Sequence, residues 1–490
     1  MKRPPSPSFF RGTLDNSRPL CYNISAAPYG GAIWARIRST PCKGRCLSVS
    51  PTISVLIIFL VTCASLIALV FAKPAVMIGG KKISIFWLAP LLGALALVIG
   101  GFITPSEIAV GLTGAGDVNP LKILLLFFSM TMMSVYLDEI GFFRLLAHKV
   151  LARAGGSQVT LFFLLFGLVS VLTVFTSNDI IVLTFTPFIC HFAKSARIDP
   201  IPYLVSEFIA ANTWSMALII GNPTNIYLMS NAGVSFPAYT ATMILATALA
   251  GLTALGVLYL LFRKKLKTPL DPEDSPAPRV DKPTEVIGLV HLGGCIILLS
   301  VSSFLHLPMW LITCLFFLSL VVFTMAISFF RRRSVFLIAR CIIRAPWDLA
   351  PFVLSMFVLV LALDKYGITG ALGSFLSTSE TLGGTIASFG VSSFFAANIV
   401  NNIPMSVLYS SVIGGMEAGP LTTAALYAAV IGSNLGAFFT PTGALAGIMW
   451  TGQLHDHGVP FSFVRFVRYG ATVAIPAMAA ALLGLWVCCL

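Results

Sequence analysis

The sequence predicts an all-α polytopic membrane protein, with about 10 transmembrane helices plus two re-entrant hairpins arranged as two inverted repeats. Three observations carry this. Of 490 residues, 57% are hydrophobic and 10% charged, where a soluble domain carries roughly a quarter charged residues. Apolar stretches of about 20 residues, the length that crosses a bilayer as helix, recur along the chain. They are continuous rather than alternating in ~10-residue segments, which excludes a barrel. The third observation is a set of motifs that return at near-constant spacing.

In chain order, residues 1–50 come first, rich in Arg, Ser and Pro. They hold eight Lys/Arg and one Asp out of a net charge of +13. This is a basic leader, expected to be disordered, with an Asn23-Ile-Ser25 sequon. The first repeat spans 51–267, a linker 268–284 and the second repeat 285–490. Spans are expected at 52–72, 83–103, 120–138, 202–230 (interrupted), 237–262, 285–304, 308–330, 348–364, 420–450 (interrupted) and 461–487. Segments 158–193 and 384–414 are broken midway by polar residues. Thr268–Thr284 is acidic, Pro-rich and aperiodic, which marks a linker.

Orientation follows from the positive charges. With 158–193 and 384–414 as hairpins that return to their own side, the basic loops share one side: Lys73–Lys82, Arg144–Arg153, Lys194–Arg197, Arg263–Lys267 and Arg331–Arg344. The opposite loops 104–119, 231–237, 305–307 and 365–383 carry Lys365 alone. This topology leaves both termini outside, so the basic leader breaks the rule. The repeat is read from Ser129-Met130…Leu137-Asp138…Gly141 against Ser355-Met356…Leu363-Asp364…Gly367, an offset of 226. Asn178-Asp179 matches Asn401-Asn402 at 223, and Pro223-Thr224 matches Pro441-Thr442 at 218. Five spans and a hairpin separate equivalent points, so the repeats are inverted. Inverted repeats with broken helices are a mark of secondary transporters.

Four polar breaks are candidates for chemistry: Ser177-Asn178-Asp179, Gly221-Asn222-Pro223-Thr224-Asn225, Asn401-Asn402-Ile403-Pro404, and Gly432-Ser433-Asn434 running on to Thr440-Pro441-Thr442-Gly443. Pro removes a backbone donor and Gly permits an unwound geometry. Half-helix starts then offer N–H groups to an anion, and half-helix ends offer carbonyls to a cation. Asp179 pairs with Asn402 in this register, so the two tips differ by one carboxylate able to bind and release a proton unless a cation holds it ionised. Kinks whose Asn and Thr satisfy neighbouring backbone are the structural alternative. Asp138 and Asp364 are expected to mark helix ends at the interface, and Glu207 a solvated helix entrance. The His residues lack metal spacing, Cys42 and Cys46 lack further ligands, and no phosphate loop suggests ATP hydrolysis by this chain. Basic charge flanks the apolar segments rather than forming a nucleic-acid surface.

Ser177-Asn178-Asp179 with Thr186-Pro187, Arg344-Ala-Pro-Trp347, Asn401-Asn402-Ile-Pro404, Gly432-Ser-Asn-Leu-Gly436 and Thr440-Pro-Thr-Gly443-Ala-Leu-Ala resemble the arsenite-efflux permeases (arsenical pump membrane proteins) of the ion transporter superfamily. Leu137-Asp138-Glu-Ile-Gly-Phe-Phe143 is also similar. The resemblance covers roughly 52–490. Ile220-Gly-Asn-Pro-Thr-Asn-Ile226 departs from it and looks more like the Gly-x-Pro-x-Asn loop of divalent-anion/sodium symporters, which carry Thr where this chain has Asp179. The resemblance implies an elevator-type movement of hairpins and broken helices.

The expected function is efflux of an arsenite- or antimonite-type oxyanion coupled to a proton gradient. Sodium-coupled symport of a dicarboxylate, citrate or inorganic anion is the alternative, and an ion channel a further one. Substrate and ion would meet Ser177, Asn178, Asp179, Asn222, Pro223, Thr224, Asn225, Asn401, Asn402, Asn434, Thr440 and Thr442. No catalytic residue, resident metal or cofactor is expected beyond a coupling proton or sodium ion. The expected partners are a small inorganic or organic anion and the lipid bilayer, with no nucleic acid. The resemblance adds a homodimer, and a separate ATPase subunit would be the other source of energy. The expected place is the plasma (inner) membrane.

Overall fold

A computed structural model describes residues 50–490 apart from 73–74, 79–80, 114–118, 230–232, 270–278, 303 and 332–335. The leader with its sequon, Cys21, Cys42 and Cys46 lie outside the described residues, as does the middle of the linker.

Helix α1 (Pro51–Ala72) leads into an antiparallel pair, β1 (Ala75–Ile78) and β2 (Lys81–Ser84), with Ala75 opposite Ser84. Helices α2 (Leu88–Ile99), α3 (Pro105–Thr113), α4 (Pro120–Glu139) and α5 (Phe142–Arg153) follow. Next come α6 (Gln158–Phe175), α7 (Asn178–Ser195), α8 (Ile201–Trp214), a 3-10 turn at Ile219–Gly221, α9 (Pro223–Met229) and α10 (Phe236–Phe262). The second half runs α11 (Lys282–Val301), α12 (Met309–Phe330), α13 (Phe336–Arg344), α14 (Leu349–Lys365) and α15 (Ile368–Leu376). It closes with α16 (Leu382–Val400), α17 (Asn402–Gly414), α18 (Pro420–Gly436), α19 (Leu445–Asp456) and α20 (Phe463–Cys489).

Among the described residues, nine helical stretches are long and apolar enough to cross a membrane. Seven coincide with expected spans, and α6 and α16 are first arms of the expected hairpins. The chain is an integral, multi-pass membrane protein. Several local readings change. The basic loop 73–82 holds the β1–β2 pair, a small exception to an all-α fold; Gly79-Gly80 between two β-prone runs is its sequence signal. The expected loops 104–119, 144–153, 331–344 and 365–383 contain α3, α5, α13 and α15, helices of nine to twelve residues, of which α13 shares the apolar stretch Phe336–Lys365 with α14. Gly432-Ser433-Asn434 is not a break: it is helical within α18, and the chain unwinds only after Gly436. Asn434 Nδ2 donates to the Val430 carbonyl 2.8 Å away, which keeps this turn helical. The other break opens at Ser215, ahead of Gly221.

Local geometry recurs across the two halves. Gly141 and Gly367 both take left-handed φ, +84° and +73°, and start α5 and α15. Only a residue without Cβ adopts that conformation readily. Ser157 caps α6 and Thr381 caps α16 in the same way, each accepting from an N–H three residues on. Counting from helix starts pairs Ser177 with Asn401 and Asn178 with Asn402. Asp179 therefore stands opposite Ile403 rather than Asn402, one residue from the register that the motifs alone suggested.

The halves are tied at their ends. Arg344 donates to Asp138 at 2.7 Å and to Glu139 at 2.6 Å, joining α13 to the end of α4. Lys365, the one basic residue of the opposite loops, pairs with Glu107 of α3 at 2.7 Å. That hydrogen bond, with the Thr104 N–H and hydroxyl, holds the Glu107 carboxyl down to about 2. Asp364 ends α14 as expected and accepts from Thr369 and Ser411.

Helices α8 and α18 form the buried centre: Ile201–Thr213 and Ala424–Gly436 are buried throughout. Close approach of α16 to α18 depends on small residues, as in other membrane bundles. A Cβ on Gly432 would collide with Ser393 Oγ and the Gly390 carbonyl. Gly432→Ala should therefore destabilise the protein by about 1–3 kcal/mol. Gly256→Ala in α10, where a Cβ meets nothing within 4 Å, should not. Thermal unfolding in detergent separates the two.

Candidate functional site

Each break leaves a helix starting inside the protein. The sequence dictates this locally: Ser177, Asn222 and Asn401 precede helices whose first N–H groups have no intrahelical partner. Asn222 Oδ1 accepts from the Thr224 N–H at 3.2 Å, and Asn401 Oδ1 from the Ile403 N–H at 3.3 Å. Pro223 takes the first position of α9, where its missing donor costs nothing.

Four of these starts meet. Asn178 and Asp179 of α7, Asn222 and Pro223 at α9, Asn402 and Ile403 of α17, and Ala444 and Leu445 at α19 line one cavity of about 10 Å³. That is room for about one water-sized centre. Helix starts present positive partial charge, so their convergence favours an anionic or oxygen-rich ligand. Two residues of this lining carry unpartnered acceptors: Asn178 Oδ1 and Asn402 Oδ1 are buried without a hydrogen-bond partner among the described residues, as is Ser177 Oγ, which lines a larger cavity next to it. The arrangement can thus both donate to and accept from a small hydroxylated oxyanion.

A larger cavity of about 220 Å³ opens beside the first and shares Asp179 with it. Ser177, Thr131, Arg344, Asp348, Gln453 and Asp456 contribute its polar lining. Thr131 Oγ1 is buried and unpartnered there, among the described residues.

The remaining predicted residues lie behind the cavities. Asn434 Oδ1 accepts from Ser215 Oγ and from Asn222 Nδ2, both at 2.9 Å. Its Nδ2 donates to Asn225 Oδ1 at 2.7 Å as well as to Val430. Asn225 Nδ2 in turn donates to the Ser215 and Leu218 carbonyls at 2.9 and 3.2 Å. These amides are saturated by protein and brace the unwound stretch of one half against α18 of the other. Thr440 Oγ1 donates to Asn398 Oδ1 at 2.6 Å and shares a hydrogen bond with Thr442 at 2.9 Å. Asn401 Nδ2 donates to the Thr442 carbonyl at 2.9 Å, and the Asn402 N–H to the Gly443 carbonyl at 3.0 Å. Thr224 Oγ1 is buried and unpartnered among the described residues.

Asn401 carries strain. Its φ of +74° with ψ of 152° is a region almost confined to glycine, at a cost of order 1–3 kcal/mol. Its two side-chain hydrogen bonds hold it there. Its counterpart Ser177 is ordinary, with φ of −102°.

Sequence reading missed Asn212 and Asn398. Asn212 Nδ2 donates to the Phe208 carbonyl at 2.8 Å, the same back-bond that Asn434 makes, and its Oδ1 accepts from Asn178 Nδ2 at 3.1 Å. Aligning the halves through Asn434 would have found it. Glu207, read as a solvated entrance, is instead completely buried. Among the described residues no group of three or more His, Cys, Asp or Glu could hold a metal ion.

A family model described as citrate transporter matches residues 66–426. The chain belongs to the citrate transporter family. It is 27% identical over 411 residues to the arsenical pump membrane protein of Escherichia coli (strain K12), covering 81% of this chain and 92% of that protein. To the putative arsenical pump membrane protein of Bacillus subtilis (strain 168) it is 24% identical over 405 residues, covering 77% and 88%. The crystal structure of the YdaH transporter of Alcanivorax borkumensis shares the fold, with a TM-score of 0.52, 12% identity, and coverage of 90% of this chain and 98% of that one. Family and fold are those of membrane transporters.

Replacing Asn212 leaves the buried Asn178 amide without its acceptor. Asn212→Ala should cost roughly 1–3 kcal/mol of stability and raise the KM for transport by loosening Asn178. Thermal unfolding and transport kinetics in proteoliposomes check both effects.

Proposed function

We propose that this family member is a secondary active transporter that exports an arsenite- or antimonite-type oxyanion against inward proton movement. The observation that carries the reading is the meeting of four helix starts on one small cavity that shares Asp179. Donors at helix starts, with acceptors on Asn178 and Asn402, suit a small oxyacid that both gives and takes hydrogen bonds. The likeness to arsenical pump membrane proteins over four-fifths of the chain supports the same substrate class. Asp179 is the coupling group in this reading, because a carboxylate inside the membrane is costly and is kept where it serves ion movement.

The halves are read as inverted repeats, with α6–α7 and α16–α17 as re-entrant hairpins whose tips meet at the site. The paired glycines, caps and asparagines support this. In the second reading the substrate is citrate or a dicarboxylate moved with sodium. The family's description and the 220 Å³ cavity next to Asp179 favour it.

Asp179→Asn should lower proton-gradient-driven arsenite accumulation in vesicles by at least about ten-fold while arsenite counterflow survives. Unchanged accumulation would remove Asp179 from coupling. Sodium-dependent citrate uptake by the wild type, with no response to arsenite, would move the assignment to the second reading.

A further inference from the structure

Glu207 is used by neither cavity. It lies on α8, flanked by buried residues on both sides, and its own exposure is 0%. Thr186 Oγ1 of α7 approaches its two carboxylate oxygens at 3.3 and 3.4 Å. The Trp450 indole of α19 lies beside it, and that ring stacks on Phe208 at 5.0 Å. Cys190 of α7 is the titratable group that faces it. Among the described residues it has no cationic partner, and Phe466 of α20 packs on Phe208 and Trp450 next to it.

An unpaired carboxylate at this depth is costly as a charge. The Thr186 hydroxyl at 3.3 Å and the neighbouring Trp450 indole are neutral and offset only part of that, whereas binding a proton removes the charge itself. Helical geometry connects the group to the site. Asp179 and Thr186 are seven residues apart on α7, so they share a face two turns apart, roughly 10 Å along the axis. One face of α7 thus carries the tip carboxylate and the hydroxyl that touches Glu207. Pro187 follows Thr186 inside the helix and removes a backbone donor at that turn.

We propose that Glu207 is a second proton-binding site, loaded and emptied together with Asp179. The step is a proton binding to one carboxylate oxygen and later returning to water, with no other bond changed. Thr186 donates to the carboxylate and accepts from the carboxylic acid, so its hydroxyl accommodates both states. The inference rests on the proton-coupled reading of Asp179 for its role in transport, and on the burial of Glu207 for the binding itself.

The test uses the full-length protein in proteoliposomes with arsenite, comparing wild type, Glu207→Gln and Thr186→Val. Protons moved per arsenite should fall to about half in Glu207→Gln while counterflow persists. The pH profile of transport should shift in Thr186→Val, which keeps the carboxylate but removes its hydroxyl partner. An unchanged proton ratio together with an unchanged profile would overturn the assignment. If Glu207→Gln does not fold, the Thr186→Val profile decides. Infrared titration without substrate separates this proposal from the transport reading. A protonated-carboxyl band that titrates in the wild type and is missing in Glu207→Gln supports the site, and its absence overturns it. Wild-type transport that ignores the proton gradient would instead sink the role of Asp179.

Discussion

An unwound backbone inside a membrane protein must find every hydrogen bond within the protein, and that constraint shapes this molecule. Four helices are interrupted close to one another, which frees N–H groups at their starts and carbonyls at their ends. Asparagine supplies the counterparts because one short side chain both donates and accepts. Asn434 engages both ends of its amide at once and connects α18 with Ser215, Asn222 and Asn225 of the other half. Asn401 and Asn398 do comparable work around Thr440 and Thr442. The braces let two broken stretches sit side by side without water, and the helix starts then point at a common space.

What the braces leave unpaired is as informative as what they pair. Asn178 and Asn402 are first residues of equivalent helices, and both keep an unpartnered buried oxygen among the described residues. Behind them the saturated amides act as scaffold; in front, the same residue type faces the cavity. Asp179 lines both the small cavity and the larger one. Arg344 lines the wider cavity, yet its guanidinium is engaged by Asp138 and Glu139. It ties α13 to α4 rather than standing as an open counter-charge for an anion.

Most of the span architecture was legible because hydrophobic length is a property of sequence alone. The polar breaks were legible for the same reason: Asn, Asp, Gly and Pro stand out in apolar surroundings. The short helices α3, α5, α13 and α15 were not, since nine to twelve residues fall short of the roughly 20 that mark a span. Gly432-Ser433-Asn434 reads as a break yet stays helical, because an asparagine bonded to its own preceding turn does not interrupt a helix. Glu207 reads as a helix entrance because it lies near the start of an expected span, but packing of α8 inside the bundle buries it completely.

Composition and pattern alone were enough to show that this chain crosses a membrane many times, that its halves share motifs, and roughly where polar residues interrupt the apolar stretches. Those depend on composition and on local backbone preference, which act within a few residues. Only the tertiary structure decided which polar groups face one another. It set Asn212 Oδ1 against Asn178 Nδ2, saturated Asn225 and Asn434, and left Asn178 Oδ1 and Asn402 Oδ1 unpartnered among the described residues. Partner choice among nearly identical amides depends on helix register across more than two hundred residues of chain, and no local pattern encodes that.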